Sequence, residues 1–332
     1  MLKIKKVIQQ TAILLAVFSM SDLSAGNSKA YINGSIHTFD ENLTIADSIL
    51  VKDGIIQLVG SQSDVIKNAD ESIEIVDLQG RMMMPSFHDA HAHPIWNGMD
   101  FLQCSVFDLL TINEIQERIR ACLEEDHVKT SGWVVGAGLN AGLFPAANPN
   151  KSLFDEVSED IPIYIEMSDG HNALVNTKAL ELAGINRDTK DPFKGIIERD
   201  PITGEPSGTL REPSAMNLVA DVLPTETPEL RLNGLLYAQN LASSFGITSM
   251  IDAAVNEPYL MSFKDLAQKG ELNLRMTACI EYGRQHYVQE FSGFEDVYKR
   301  RSEFEHPRIN TNCVKIFIDG VLEGQTGAIL EP

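Results

Sequence analysis

In residues 30–80 the apolar positions fall in short runs, and residues 30–38, 47–52, 55–59 and 72–76 each read as a strand. Asp53-Gly54 separates two of these runs and is a hairpin signal, because both turn positions favour positive φ. Residues 111–125 switch to a helical period. Ile112, Ile115, Ile119 and Leu123 share one face, and Thr111 with Glu114 forms a capping box. Residues 133–139 and 161–167 return to strands around a Pro- and Asn-rich loop at 145–150. A short helix at 176–183 closes at Gly184, and residues 186–214, rich in Gly, Pro and charge, read as loops and hairpins.

From residue 225 the pattern is regular. Thr227 caps a helix with Pro228 at its first position, Leu232, Leu235, Leu236 and Phe245 supply much of its apolar side, and Gly246 ends it. Residues 247–251 read as a buried strand, 259–268 as a helix stopped by Gly270, and 272–280 as a strand. A polar, helical stretch runs to about residue 303, and residues 313–318 form the last strand. Strands alternating with helices are the pattern of a parallel sheet.

The chemistry centres on residues 81–94, RMMMPSFHDAHAHP. Residues two apart in a strand point to the same face, so His91 and His93 at a strand end aim two imidazoles into one space. Neutral imidazoles converging in this way suit a divalent metal such as zinc. A bare His-x-His also occurs in surface turns; the apolar entry and the Pro94 stop favour the metal reading. Three other places can carry chemistry. In VKIFIDG, residues 314–320, Lys315, Phe317 and Asp319 share one face of a strand while Ile316 and Ile318 pack behind. A lysine turned into a barrel lumen is costly unless paired or modified, and carbamylation would turn it into an anionic metal ligand. An ion pair with Asp319 or Glu323 is nearly as good an account. His171, in Ser168-Asp169-Gly170-His171, follows a strand and can face a site, whereas Asp169 can equally just begin a turn. Asp252 ends a parallel strand, where catalytic groups sit on a barrel, although a cap or loop role is slightly favoured. His37, His127, His286 and His306 lie in turn-like or polar surroundings and read as surface residues.

These motifs together resemble the amidohydrolase superfamily. Residues 85–94 are similar to its Pro-Gly-Phe-x-Asp-x-His-x-His-Pro signature, departing at Ser86 and His88, neither a ligand position. Lys315-x-Phe317-x-Asp319-Gly320, followed by Glu323-Gly324-x-Thr326, resembles the amidohydrolase-3 branch that contains N-substituted formamide deformylase. Residues 169–176 and 246–253 match the same branch, with Leu174 where tryptophan is frequent. The resemblance covers about residues 30–332 and implies an α/β fold. It implies a metal-dependent (β/α)8 barrel from residue 82 onward, interrupted by a large α+β insertion at about 100–225. Residues 31–81 would form the N-terminal part of a small β-sandwich. His91 and His93 would ligate the metal, one or two Zn2+, with Lys315 as a carbamylated ligand or bridge. His171 would orient substrate, and Asp319 is a further candidate catalytic residue.

A full barrel takes roughly 250 residues, and only four barrel strands are countable here. In the family two further histidines and a late aspartate, the general base, lie on later strands; no histidine follows Lys315 in this sequence. The expectation is an incomplete barrel, the N-terminal part of a longer protein or a truncated gene product, with open strand edges and an exposed apolar face. The intact protein would hydrolyse non-peptide carbon–nitrogen bonds in a small-molecule amide. The alternatives are a catalytically incomplete fragment with a partial metal site, or a non-catalytic binding module.

Composition narrows the setting. The 332 residues, 43% hydrophobic and 22% charged, describe an ordinary soluble globular chain, and a net charge of −20 argues against nucleic acid as a partner. Lys3, Lys5 and Lys6 precede an apolar run at 11–20, with small-residue cleavage points at Ala25 and Ala30. Residues 1–30 thus read as a signal peptide rather than a stable membrane anchor, and the protein as exported, periplasmic or secreted. The four cysteines form no Cys-x-x-Cys pair and read as buried free thiols.

Overall fold

The computed structural model describes residues 28–282, 294–318 and 328–330, and the statements below concern these. Two compact units divide at Ser86 and Phe87.

In the first unit Ile55–Gly60, Ser48–Lys52, Lys29–Ile32 and Glu74–Asp77 lie side by side in that order. The Asp53-Gly54 turn has φ of 52° and 76°, and Lys52 pairs with Ile55 across it, as the sequence requires. A three-stranded sheet holds Ile45–Ala46, Ser35–His37 and Met82–Met83. Met82 and Met83 therefore belong to this unit, and the boundary lies after Ser86 rather than at residue 81. The core is small: Ala30, Leu50 and Val65 are buried with Ile32 and Leu58 against them. Val65 comes from helix Gln62–Asn68, which periodicity does not reveal because Val65 is its sole buried residue. Ala30 is fully buried within Lys29–Ile32, so a cleavage after Ala30 would cut this strand, whereas one after Ala25 would leave it whole.

The second unit is built on four parallel strands in chain order: Phe87–Ala92, Ile247–Val255, Arg275–Tyr282 and Ile309–Ile316. Helices Pro94–Leu102, Pro228–Ser244 and Glu257–Gln268 pack with this sheet around Ile95, Met99, Leu235, Leu260, Phe263 and Met276. The first two helices cross where glycine meets glycine. A Cβ on Gly98 would stand 2.1 Å from the Gly234 carbonyl oxygen, so neither position has room for a side chain. Thr227 caps Pro228–Ser244 through a bond from the Leu230 N–H. Phe245, expected on the apolar side of that helix, is its C-cap and 68% exposed, because the chain leaves the helical period there. The last strand starts and ends earlier than the apolar run suggests. Ile316 and Ile318 do not pack behind Lys315: Ile316, at the end of this outer strand of the described sheet, and Ile318, just past it, are 57% and 82% exposed.

Between Pro94–Leu102 and Pro228–Ser244 runs a six-stranded mixed sheet, in the order Ile196–Arg199, Pro206–Arg211, Asn172–Val175, Ile163–Met167, Val134–Leu139, Cys104–Ser105. The Thr111–Glu114 capping box forms as expected and starts helix Ile112–Cys122. Helix Glu212–Ala220 follows the sheet, beginning at the end of the stretch 186–214 that reads as loops and hairpins. The cysteines are not free thiols. Cys104 bonds Cys122, and Cys279 bonds Cys313. The second pair joins residues in register on adjacent parallel strands, with Cα atoms 4.3 Å apart, a proximity that sequence spacing cannot show.

Candidate active site

His91 is near the end of strand Phe87–Ala92, and His93 follows as N-cap of helix Pro94–Leu102. The apolar packing of Ile95 and Met99 fixes the helix, and with it the turn that folds His93 back beside His91. The two rings lie 5.3 Å apart between centroids and nearly perpendicular, at 89°. Burial, the Lys315 charge and the neighbouring His93 hold the His91 imidazole below its ordinary pKa range, which favours the neutral, lone-pair-bearing form.

His93 Nδ1 is buried, and the carboxylate oxygen Asp252 Oδ1 stands 3.4 Å from it. Asp252 is 1% exposed and lies within Ile247–Val255, where Oδ1 also accepts the Ala254 N–H at 3.2 Å. It is neither a helix cap nor a loop residue; Asn256 caps the next helix. The sequence favoured the wrong role because the strand runs four residues beyond Ile251.

His171 closes a turn that Asp169 builds. Asp169 Oδ1 accepts the N–H groups of His171 at 2.8 Å and Asn172 at 3.1 Å, so its turn role is real. His171 Nδ1 lies 3.1 Å from Glu212 Oε2, and the Glu212 N–H donates to the His171 carbonyl at 2.7 Å. Glu212 is 4% exposed with φ of 64°, a conformation uncommon for a residue with a Cβ. In the sequence Glu212 is marked only by a Glu-Pro pair that follows a hairpin and starts a helix.

Lys315 sits at the end of the outer strand with its Nζ 4.7 Å from the Phe317 ring centre. Asp319 and Glu323, its candidate partners, lie outside the described residues, as do Gly320, Gly324, Thr326 and residues 1–27 of the expected signal peptide. His91, His93, His171 and Lys315, drawn from three separate motifs, line one cavity of about 470 Å³ together with Trp96 and Glu166. Trp96 stands 5.4 Å from the His93 ring.

The donor set suits part of a metal's coordination sphere. Two imidazoles share a space, and a buried carboxylate stands beside the inner nitrogen of one, the arrangement that orients metal-ligating histidines. Among the described residues, no group of three or more His, Cys, Asp or Glu side chains is placed to hold a metal ion.

The model of the amidohydrolase family matches residues 74–332. The chain is 28% identical over 307 residues to Protein LONG AFTER FAR-RED 3 of Arabidopsis thaliana, covering 90% of this chain and 51% of that protein. It is 29% identical over 296 residues to N-substituted formamide deformylase of Arthrobacter pascens, covering 87% of this chain and 54% of that one. An uncharacterized metal-dependent hydrolase from Pyrococcus horikoshii superposes with a TM-score of 0.63 at 25% identity, over 89% of this chain and 55% of that structure. The chain thus spans about half the length of these relatives.

Proposed function

The chain belongs to the amidohydrolase family, and from that membership we propose that the whole protein is an exported, metal-dependent hydrolase of non-peptide carbon–nitrogen bonds in small amides or N-acyl amines. The observation that carries this reading is the convergence of His91, His93, His171 and Lys315 on one cavity. His91 and His93 would hold a divalent metal, zinc being the ion their nitrogen donors suit best. The metal, when bound, supplies polarisation of the amide carbonyl and a more acidic water. Asp252 keeps the His93 proton on Nδ1, leaving Nε2 as the donor of a lone pair. Glu212 holds His171 by Nδ1 and turns its other ring edge to substrate. The Lys315 amine would add to carbon dioxide, release a proton and become an anionic carbamate ligand. Export is supported by the two disulfides, which persist in oxidising compartments.

A second reading, a partial site without turnover, is favoured by the lack of a three-ligand group among the described residues. One experiment separates the two. The purified whole protein is assayed for bound zinc by mass spectrometry and for amine release from a panel of N-formyl and N-acyl amines. Turnover that is lost, with the zinc, in His91→Ala plus His93→Ala is expected. Bound zinc without turnover on the panel supports the second reading, and zinc content unchanged by the double substitution would sink the metal assignment. Activation by bicarbonate, lost in Lys315→Ala, is the expected mark of carbamylation. N-terminal sequencing of exported protein should begin at Gly26.

A further inference from the structure

A second cavity, of about 440 Å³, opens at the opposite end of the same parallel sheet, where the strands begin. Its wall is a cross-strand row. His88 pairs with Ser249 and Ser249 with Arg275, so three polar side chains stand on one face across three adjacent strands. Ser249 Oγ and His88 Nδ1 are hydrogen bonded. One pair further along, Thr277 is opposite Asn310.

Arg308 and His306 complete the rim from the turn before the last strand. The Arg308 carbonyl accepts the Met276 N–H at 2.8 Å, and its Nη1 donates to the Asn273 carbonyl at 3.0 Å, which fixes the guanidinium. His306 Nδ1 accepts the Arg308 N–H at 3.2 Å, which leaves the ring proton on Nε2 as a donor. His306 is therefore a lining residue here, not the plain surface residue that its sequence suggests. Asp89 is the one carboxylate among the described lining residues, and its Oδ1 is engaged by the His91 N–H at 3.0 Å. In a chain of net charge −20, a wall of two guanidiniums, two imidazoles and three neutral donors reverses the local sign.

We propose that this cavity binds a small phosphate-type oxyanion, free or as the terminal group of a phosphomonoester. Guanidinium forks match the oxygen pairs of such an anion, and hydroxyl and imidazole donors fill the remaining lone pairs. The site is separate from the catalytic cavity and does not depend on the activity proposed for it.

The test measures phosphate binding by calorimetry on the whole protein, at ionic strength held constant with chloride, with inorganic phosphate and glycerol phosphate as separate probes. Arg275 is exposed at the first position of its strand, so its replacement leaves the core intact. Saturable binding is expected, weakened about tenfold or more in Arg275→Ala and less in Arg275→Lys. Tighter binding of glycerol phosphate would identify a monoester as the ligand, and equal or weaker binding the free anion. The His91→Ala plus His93→Ala protein should bind phosphate as the wild type does. Loss of binding in that variant would place the anion in the catalytic cavity and overturn the proposal. So would binding unchanged in Arg275→Ala, or a response that does not saturate.

Discussion

Replacing Cys279 and Cys313 together by alanine should loosen the Lys315 end of the last strand before it unfolds the protein. The strand has two unequal halves. Ile309 is 3% exposed and Thr311 is fully buried, so packing holds its beginning. Val314 and Ile316 are 38% and 57% exposed, and the strand is an outer one in the described sheet, so packing does little for its end. The disulfide ties this end to its neighbour, two register pairs before Glu281 faces Lys315. The cross-link spans 34 residues, and the loss of loop-closure entropy in the unfolded chain is then about 4 kcal/mol at 25 °C. Tryptophan fluorescence during urea unfolding reads the change, because Trp96 and Trp133 both lie in the second unit. Lysine-selective labelling of the native variant reads the local loosening, and should reach Lys315 faster than in wild type at urea concentrations where fluorescence is unchanged. Thiol titration of the denatured, unreduced wild type should find none of the four cysteines free. Four reactive thiols in that titration, or a stability change below about 1 kcal/mol on breaking the link, would refute the reasoning and restore the free-thiol reading of the sequence.

Asp252→Asn should lower zinc affinity or amide turnover by about 10–100-fold, since it removes the charge beside His93 Nδ1 without changing the side chain's shape; metal titration of the variant checks this, and wild-type affinity would show that the carboxylate does not orient the ring. The His91 midpoint, followed by NMR in the metal-free protein, should lie below the ordinary 6.5. Because the folded value is depressed, the stability this group contributes is complete above about pH 6.5 and is lost as pH falls through the folded midpoint; a midpoint at or above 6.5 would contradict the assigned surroundings. Gly98→Ala should destabilise the second unit by roughly 1–3 kcal/mol in urea unfolding, because its Cβ would meet the backbone of Gly234 rather than a side chain able to move. A neutral result would mean the helices do not cross as closely as described.

Much of the fold was legible where a local signal decides it. Asp53-Gly54 needed nothing beyond its own φ preference, and Thr111 and Thr227 needed only the backbone donors three residues ahead. The alternation after residue 225 told of a parallel sheet because each strand is apolar enough to be buried and each helix has its cap. What stayed hidden depends on partners far along the chain. Helix Gln62–Asn68 buries one residue, and Glu212–Ala220 starts from a strained backbone that is stabilised by contact with His171, 41 residues away. The exposed Ile316 and Ile318 misled for the opposite reason: alternation defines two faces, but not which of them another element covers.

The site divides in the same way. His91 and His93 were readable because period-two geometry acts within three residues, and the structure keeps their rings 5.3 Å apart. Asp252 was misjudged because the reading stopped its strand at Ile251, whereas the ladder with Arg275–Tyr282 continues to Val255. That difference of four residues turns a presumed loop carboxylate into a buried one beside His93. The orienting groups, Asp252 for His93 and Glu212 for His171, are both buried carboxylates facing imidazoles from other elements. Burying an acid is unfavourable unless something nearby compensates it. In a chain whose surface already carries ample negative charge, acids kept out of water beside imidazoles point to a positioning role more strongly than any exposed acid does.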